Sequence, residues 1–574
     1  MTLFEKLTFL KPVFDKLLRL MTRKHKIYLV FMLVLTIGFS LVETLGISAI
    51  MPFISIASDP GLLESGWYKK AFDFFKFVSA EKFIISLGIA IIIFYVFRAV
   101  YSVLLTYLMN RYSFGMYKYF SKKLFKINLT VPYKVFVMKN SAEQMRAITA
   151  ETEAISKVAL NLLQLCSEIF TVLMVYTVIV VLNWKMTLVV TAILILMVIF
   201  LLALLTTIGS IQGKKWFDSA RKMNRTIKET LGNLKYVKLK GNEESILRTY
   251  ENNIEANTQS QLITNVISVI PKGILESLGF SFLIAVVVFI VWVYHDASRV
   301  IPIISMYALA LYRILPSIHR MLQNINNVVY MEKTLESVYE NLHQPVDDEK
   351  SEPLEFKHVI RLENVCFKYI TSGDIVTGIS LEVNKGARIA FTGESGSGKS
   401  TLIDIIIGIH KPVSGKVYID DTALTSDNIR SWRKKIGYIP QSIYLFDGTV
   451  GENVSFGSEP DEEKIKLALQ KANIWDFLAQ KDGLNTMVGD GGIQLSGGQQ
   501  QRIGIARALY DDPEVLVLDE ATSALDNETE QKIMDEIYSV SANKTLIVIA
   551  HRISTVERCD RKIRIGNGSI MAHE

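Results

Sequence analysis

A glycine-rich run in the second half of the chain has the composition and spacing of a phosphate-binding loop. It matches GxxxxGK[ST] between a strand-like segment and an apolar helix, which is the local structure that such a loop requires. The run consists of Gly393, Glu394, Ser395, Gly396, Ser397, Gly398, Lys399, Ser400 and Thr401. Its backbone N–H groups can surround phosphate oxygens, Lys399 can reach the β and γ phosphates, and the Ser400 hydroxyl can bind Mg²⁺. The sequence therefore predicts a site for ATP and Mg²⁺.

Two adjacent carboxylates follow an apolar, strand-like run in the same region. Residues 515–518 are Val, Leu, Val and Leu, and Asp519 and Glu520 come next. We expect Asp519 to hold Mg²⁺, directly or through water. Glu520 points differently because side chains alternate along a strand, and it can polarise the attacking water. Such a run is weak evidence alone, but its position about 120 residues after the phosphate loop favours a hydrolysis site.

A small turn that can begin a helix lies between these two motifs. Its residues are Leu495, Ser496, Gly497, Gly498 and Gln499. N–H groups and a hydroxyl at a helix N-terminus can contact a γ-phosphate. The run LSGGQ is the signature of the ATP-binding cassette (ABC) ATPases, and the chain resembles that family. The resemblance implies that the phosphate belongs to the loop of a second ATPase domain, so that ATP is bound between two domains of a dimer.

Four more positions match motifs of this family in the same order. The resemblance implies that Tyr369 stacks on adenine and that Gln441 lies near Mg²⁺ and the attacking water. It also implies that Asp526 ends the D-loop run SALD and that His551 touches the γ-phosphate. Alone, each residue type is more often a packing or surface residue. Because all four occur in the order of the family motifs, a role in the nucleotide site explains them better than packing or surface exposure does.

The resemblance assigns catalytic and metal-binding roles within this set. The catalytic residues are expected to be Glu520, His551 and Gln441. The Mg²⁺ ligands are expected to be Ser400, Gln441 and Asp519. Residues 486–492 resemble the exporter X-loop TxVGExG, with the shorter Asp490 in place of the usual Glu.

The composition requires part of the chain to lie in lipid. Of 574 residues, 50% are hydrophobic and only 21% charged, and the mean hydropathy is +0.27. The net charge of +6 comes mainly from loops that flank apolar runs, which argues against nucleic acid as a partner. The three cysteines lack the spacing of a disulfide framework or a zinc site.

Six apolar stretches are long enough to cross a bilayer, which takes roughly 20 residues. They are residues 27–53, 83–109, 159–182, 186–211, 277–294 and 300–315. The long basic loops 111–157 and 213–272 are expected to face the cytoplasm as continuing helices.

Two further segments are amphipathic. Residues 10–21 suit an interfacial helix, and residues 62–77 suit either a packed lid or a surface for a lipid substrate.

The sequence predicts a multidomain chain with two different folds. Residues 1–344 are expected to form an all-α polytopic membrane domain with six transmembrane helices, and the resemblance implies the type IV ABC exporter fold. Residues 345–354 are an acidic, proline-bounded linker. Residues 355–574 form an α/β P-loop ATPase domain of the ABC type. One chain has one such domain, so a working unit requires two chains, and the undamaged motifs favour a homodimer.

Parts of the membrane domain resemble a narrower group, the PglK/Wzk group of bacterial lipid-linked oligosaccharide flippases. The resemblance lies in residues 42–44, 50–53, 94–98 and 310–316. It implies ATP-driven transfer of a polyprenyl-pyrophosphate oligosaccharide across the bacterial inner membrane, with a cytoplasmic ATPase domain. The alternatives are export of another lipid, a peptide or a drug, and an ATP-gated channel or regulator.

Three arginines are candidates for binding the pyrophosphate of that substrate. Arg98 lies inside the second predicted span, and an arginine at membrane depth usually faces a bundle interior or an aqueous cavity. Arg313 and Arg320 are two helical turns apart and share a face. The alternative is internal pairing with acidic residues of the membrane domain, namely Glu43, Glu168 or Glu276.

Overall fold

A computed structural model describes residues 10–58, 60–64, 66–77, 79–182, 184–294, 301–369, 373–519, 527–549 and 556–573. The chain divides into two compact units. The first unit comprises Met1–Leu129 and Lys139–Gln344. The second comprises Thr130–Met138 and Pro345–Glu574.

The regular structure in the described part of the first unit is helical. The α-helices before residue 345 are α1 (Leu10–Leu20), α2 (Arg23–Ser58), α3 (Gly66–Phe74), α4 (Ala80–Thr130), α5 (Tyr133–Phe136), α6 (Ser141–Arg146), α7 (Thr152–Leu182), α8 (Trp184–Gly232), α9 (Leu234–Lys240), α10 (Glu243–Tyr294), α11 (Ile301–Tyr330) and α12 (Glu332–Leu342). The short helix α5 belongs to the second unit. A 3₁₀ turn covers Pro60–Glu64, and a π-helical turn covers Ala147–Glu151.

Three of these helices are far longer than a bilayer crossing. Helices α4, α8 and α10 have 51, 49 and 52 residues. At about 1.5 Å per residue each reaches over 70 Å, whereas the hydrocarbon core is about 30 Å thick. The predicted continuation of the spans as helices into residues 111–157 and 213–272 is therefore confirmed over most of both loops.

Five helices in the described residues are long and apolar enough to cross a membrane. The sixth predicted span, residues 300–315, lies almost wholly in α11, where most side chains before residue 311 are outside the described set. The chain is thus a multi-pass membrane protein. Among the described residues its first unit has two large apolar cores, one formed mainly by α1, α4 and α7, the other by α7, α8, α10 and α11.

The N-terminal helix differs from its predicted environment. The helix over residues 10–20 is present, but Val13 and Leu17 are only 3% and 1% exposed, and Leu20 is also buried. They pack against α4 and α12 in the first core. Part of the apolar face that we expected to lie on a membrane leaflet is therefore covered by protein, whereas Phe14 on the same face is 39% exposed.

The second unit contains two sheets and short helices. Its elements after residue 345 are β1 (Val359–Lys368), β2 (Asp374–Asn384), β3 (Arg388–Thr392), α13 (Lys399–Ile406), β4 (Ser414–Ile419), β5 (Thr422–Ala423), α14 (Ile429–Arg433), β6 (Ile436–Ile439), α15 (Val450–Ser455), α16 (Glu462–Lys471), α17 (Trp475–Ala479), α18 (Gly497–Leu509), β7 (Val515–Asp519), α19 (Asn527–Val540), β8 (Thr545–Ile549), β9 (Arg561–Gly566) and β10 (Ser569–His573).

The larger sheet explains how distant motifs come together. Its strand order is β10-β9-β3-β8-β7-β6, and all neighbours except β9 and β10 are parallel. The carboxyl ends of β3 and β7 therefore lie at one edge of the sheet, separated only by β8. Strands β2, β1, β4 and β5 form a separate antiparallel sheet. The predicted α/β domain is confirmed.

The residues predicted to be a linker are held on the second unit. Glu349 accepts two hydrogen bonds from the Arg433 guanidinium, at 2.7 and 2.8 Å. Lys350 pairs with Asp427 at 2.8 Å, and its backbone N–H donates to the Ser426 carbonyl at 2.7 Å. The sequence predicted an acidic, proline-bounded linker here, and these contacts hold Glu349 and Lys350 of it against the second unit.

Candidate functional site

Two glycines of the phosphate loop are required by their backbone conformation. Gly393 follows β3 with φ +141°, and a Cβ there would lie 2.1 Å from the Ile565 carbonyl oxygen. Gly398 has φ +101°, and its Cβ would lie 2.7 Å from the Ile375 carbonyl oxygen. Any side chain would clash with backbone at either position. The loop thus turns tightly between β3 and α13, as its spacing predicted.

Lys399 begins α13 and holds the loop closed. Its Nζ donates to the carbonyl oxygens of Gly393 at 2.9 Å and Glu394 at 2.7 Å. The residue is 5% exposed, so its charge is concentrated within the loop. A helix N-terminus also presents N–H groups and a partial positive charge. Together these features form a site for phosphate groups.

The candidate metal ligands meet at the edge of the large sheet. The Ser400 hydroxyl lies 3.5 Å from Asp519 Oδ1, and the Tyr438 hydroxyl donates to Asp519 Oδ2 at 3.2 Å. A hydroxyl and a carboxylate are hard oxygen ligands of the kind that Mg²⁺ prefers. The donor set therefore fits Mg²⁺. Gln441 is exposed and lies two residues beyond the end of β6.

A second carboxylate near Asp519 has an altered acidity. Burial raises the pKa of Asp404 to about 7, and the negative charge of Asp519 contributes in the same direction. Burial also raises the pKa of Tyr438, again with a contribution from Asp519. The phosphate site is thus bordered by a carboxyl group that is partly protonated near neutral pH.

Tyr369 lies just after β1 and contacts two aromatic neighbours. Its ring meets Phe367 edge-on at 5.1 Å and His410 edge-on at 5.4 Å. Its hydroxyl lies 3.2 Å from His410 Nε2. Burial lowers the pKa of His410 to about 4, with a smaller contribution from Lys134. The imidazole is therefore neutral at physiological pH.

The LSGGQ run caps α18 as its residue types predict. The Ser496 hydroxyl accepts from the Gln499 backbone N–H at 3.4 Å, and the Gln499 side chain accepts from the Ser496 N–H at 2.9 Å. This reciprocal capping box stabilises the first turn. Leu495 is buried below it, whereas Ser496 and Gly497 are exposed. The exposed turn can face a phosphate supplied by another domain.

Several predicted site residues fall outside the described part of the chain. They are Glu520, Asp526 and His551, together with the rest of the D-loop run. Their roles stay predictions. The described strand β7 ends at Asp519, which is level with Ile549 of β8.

The three candidate substrate arginines all have acidic partners. Arg98 Nη2 lies 2.6 Å from Glu43 Oε1, and Arg313 pairs with the other oxygen of the same carboxylate. Arg320 binds Glu168, with Nη2 3.1 Å from Oε2. The structure thus shows the internal pairing that we had considered as the alternative. The guanidinium groups of Arg98 and Arg313 share the single carboxylate of Glu43, so one positive charge of this cluster is not neutralised.

The structure adds residues that the motifs did not predict. Asp404, His410 and Tyr438 all lie in the network around Tyr369 and Asp519. The only sequence signal was their position close to known motifs, since Tyr438 precedes Gln441 by three residues and Asp404 follows Ser400 by four. Their contacts depend on the pairing of distant strands, which no short run reveals.

Comparison with known families identifies both units. The family described as "ABC transporter transmembrane region" matches residues 26–314, and the family described as "ABC transporter" matches residues 376–523. The chain is similar to a solved structure titled "Structure of a bacterial Atm1-family ABC exporter with ATP bound", with a TM-score of 0.77 and 21% identity over 96% of this chain and 95% of that one. That likeness shows the fold.

Curated relatives point to the same family. An "ATP-dependent lipid A-core flippase" of Paraburkholderia xenovorans (strain LB400) is 31% identical over 473 residues, 78% of this chain and 76% of the relative. One of the same name from Burkholderia pseudomallei (strain 1710b) is 41% identical over 216 residues. That match, like other first matches, spans about a third of each protein, 37% of this chain and 36% of the relative. The chain belongs to the ABC transporter family and joins the transmembrane region of that family to its ATP-hydrolysing domain in one polypeptide.

Proposed function

We propose that the protein flips a polyprenyl-pyrophosphate-linked oligosaccharide across the bacterial inner membrane and uses ATP hydrolysis to do so. The observation that carries the proposal is the shared carboxylate of Glu43, which lies between Arg98 and Arg313 inside apolar helices. Glu43 is 2% exposed, whereas the side chains of Arg98 and Arg313 are 31% and 19% exposed. The surplus positive charge suits an anionic head group that cannot enter hydrocarbon without compensation.

Arginine is well matched to this role because its planar guanidinium can bind two phosphate oxygens at once. Arg320 differs from the other two because Glu168 balances its charge one to one. A phosphate at Arg320 must compete with Glu168 for the guanidinium charge, because Nε and Nη2 already donate to that carboxylate. We therefore expect Arg98 and Arg313 to provide the larger share of the binding free energy.

The ATPase cycle follows from the motif residues. In this proposal Glu520 polarises the attacking water, and Gln441 and His551 orient water and γ-phosphate. Ser400, Gln441 and Asp519 would hold Mg²⁺, which would neutralise charge on the phosphates. The exposed Ser496 turn of a second chain completes the site, so the working unit is a homodimer with two equal sites and a cytoplasmic ATPase domain.

Export of another lipid is the second candidate, and a specific observation favours it. The relatives named lipid A-core flippases support a lipid as the transported molecule. In addition, a cavity of about 370 Å³ with an almost wholly apolar lining lies among α7, α8 and α11. A hydrocarbon chain of any lipid could occupy it, so the cavity does not distinguish the two candidates. The surplus positive charge beside Glu43 favours an anionic lipid over a neutral one.

The segment before α4 supports a lipid substrate in either case. Phe72 and Phe77 pack against Phe83 at 5.7 and 5.2 Å, which agrees with a lid held by packing. Phe74 and Phe75 lie beside each other and are 79% and 66% exposed. An exposed aromatic pair beside a membrane span can contact lipid.

The test is a flipping assay in proteoliposomes with two lipid substrates that carry the same oligosaccharide. One has a pyrophosphate link and the other a neutral link. We expect Arg98→Ala and Arg313→Ala together to reduce transport of the pyrophosphate substrate at least tenfold, while basal ATPase activity stays within about twofold. Normal transport of that substrate by the triple variant, with Arg320→Ala added, would reject the proposed site. Equal transport of both substrates by the wild type would favour the second candidate.

A further inference from the structure

His410 is buried among aromatic rings at the end of the phosphate-loop helix. It is 3% exposed. Its ring stacks on Phe367 at 4.6 Å with 21° between the planes, and it meets Tyr369 edge-on at 5.4 Å. Tyr133, from the segment Thr130–Met138, lies at 5.7 Å from it. Three aromatic neighbours therefore define the plane of the imidazole.

The polar contacts of His410 are equally restricted. Its Nε2 lies 3.2 Å from the Tyr369 hydroxyl and 3.8 Å from Asp404 Oδ2. A neutral imidazole has one N–H donor and one acceptor nitrogen, so it can form one directed hydrogen bond with the tyrosine hydroxyl. That bond fixes the far end of the Tyr369 side chain.

The backbone around His410 is also held. The His410 N–H donates to the Asp404 carbonyl at 2.9 Å. Gly408 has φ +78°, and its carbonyl accepts from Arg433 Nε at 3.1 Å. Arg433 in turn is the residue that binds Glu349. The turn that carries His410 is thus connected to a rigid part of the domain.

We propose that His410 is a positioning residue that orients the ring of Tyr369 for the nucleotide base and so sets the affinity for adenine without touching the nucleotide. This rests on the proposed role of Tyr369 as the base-stacking residue. Tyr369 lies at the open end of β1, where a ring with two rotatable bonds has several orientations. A hydroxyl held at its tip selects one of them, which lowers the entropy lost when a base stacks.

The test is a double-mutant cycle in the full-length protein reconstituted in lipid nanodiscs. The variants are Tyr369→Phe, His410→Phe and the double variant, each of which keeps both rings. Loss of one hydrogen bond should raise the KM for ATP about three- to tenfold and leave kcat within about twofold. The double variant should be no worse than either single variant, because both remove the same bond.

A second measurement separates positioning from a general structural effect. Inorganic tripolyphosphate, which has no base, competes with ATP at the phosphate loop. Its inhibition constant should be unchanged in all three variants. His410→Gln, which keeps a hydrogen-bonding group, should restore the KM at least partly. The matched control is Tyr538→Phe, which removes the hydroxyl of another tyrosine, 3.6 Å from Cys559 Sγ, and should leave the KM for ATP unchanged.

The outcomes distinguish the two proposals. If Tyr369→Ala leaves the KM for ATP unchanged, the base-stacking role is wrong and the role of His410 fails with it. If Tyr369→Ala raises the KM but His410→Phe does not, only the role of His410 is wrong. Additive effects in the cycle, or a parallel loss of tripolyphosphate affinity, would also overturn it.

Discussion

At the scale of single residues, the nucleotide site depends on two carboxylates in different states. Asp519 contacts the hydroxyls of Ser400 and Tyr438 and is the candidate Mg²⁺ ligand. Asp404 is half-buried nearby, and its pKa is raised to about 7. Placing two carboxylates close together disfavours ionisation of the more buried one. Ionisation of Asp404 therefore lowers the stability of the folded protein, by an amount that depends on pH and on the charge at Asp519.

Replacing Asp404 with Asn should stabilise the protein at alkaline pH. Below the unfolded pKa of 3.8 the Asp404 carboxyl is protonated in both the folded and the unfolded protein, so it does not make stability depend on pH. From there to about 7 only the unfolded state loses the proton, and stability falls with rising pH. The slope is at most about 1.4 kcal/mol per pH unit.

The measurement is the apparent melting temperature of wild type and Asp404→Asn between pH 5 and 8, in EDTA without nucleotide. The advantage of the variant should grow up to about pH 7 and then level off. A constant difference at every pH would mean that Asp404 is ionised in the folded protein. Asp427→Asn, which removes an exposed carboxylate of the same domain, is the control.

Glu520→Gln tests the proposed catalytic base. The substitution keeps the shape of the side chain and removes the charge that polarises water, so kcat should fall by about 10²- to 10⁴-fold while ATP still binds. Trapped ATP, counted after rapid filtration, should accumulate. Hydrolysis at the wild-type rate would show that another residue activates the water.

At the scale of elements, the segment Pro345–Pro353 acts as part of the ATPase domain. Its proline and acidic residues predicted a linker between the two domains. The side chain of Glu349 is nevertheless only 12% exposed and binds Arg433 through two hydrogen bonds. Arg433 also donates to the Gly408 carbonyl. Such a bidentate contact depends on α14, which is about 80 residues away in the chain.

Arg433→Lys should destabilise the ATPase domain by about 1–3 kcal/mol. Lysine keeps the charge but lacks the planar guanidinium, whose several N–H groups bind the Glu349 carboxylate and the Gly408 carbonyl at the same time. The apparent melting temperature of the full chain should fall by several degrees. Lys350→Ala removes the exposed pair with Asp427 and should change it by much less, because exposed ion pairs contribute little. Equal effects of the two substitutions would contradict a specific role for Arg433.

The elements also show which features a sequence can predict. The phosphate loop, the helix start at Ser496 and the strand ending at Asp519 are local, so residue type and spacing identify them. The contacts of Tyr369 with His410 and of Arg98 and Arg313 with Glu43 join distant parts of the chain. Such pairs depend on strand order and helix packing. The hydrophobic periodicity of a single helix or strand does not show which distant residues it will contact.

At the scale of the whole molecule, the proposed homodimer has two ATP sites, each built from both chains. Lys399→Ala in one chain and Ser496→Arg in the other should place both changes in a single site and leave the second intact. A dimer with both substitutions in one chain, next to a wild-type chain, should lose both sites. Vanadate-trapped nucleotide should therefore be about one per dimer in the first case and near zero in the second. The same value in both would reject the head-to-tail arrangement.

The ATPase unit is discontinuous in sequence, since Thr130–Met138 belongs to it together with Pro345–Glu574. A ribosome that adds about 5–20 residues per second makes this short segment many seconds before the domain into which it packs. During that interval Tyr133 lacks His410, which its ring contacts in the finished protein. Completion of the ATPase unit must therefore wait until most of the membrane domain has been synthesised. Slow translation of residues 139–344 should lengthen the period in which the nascent chain needs protection by chaperones.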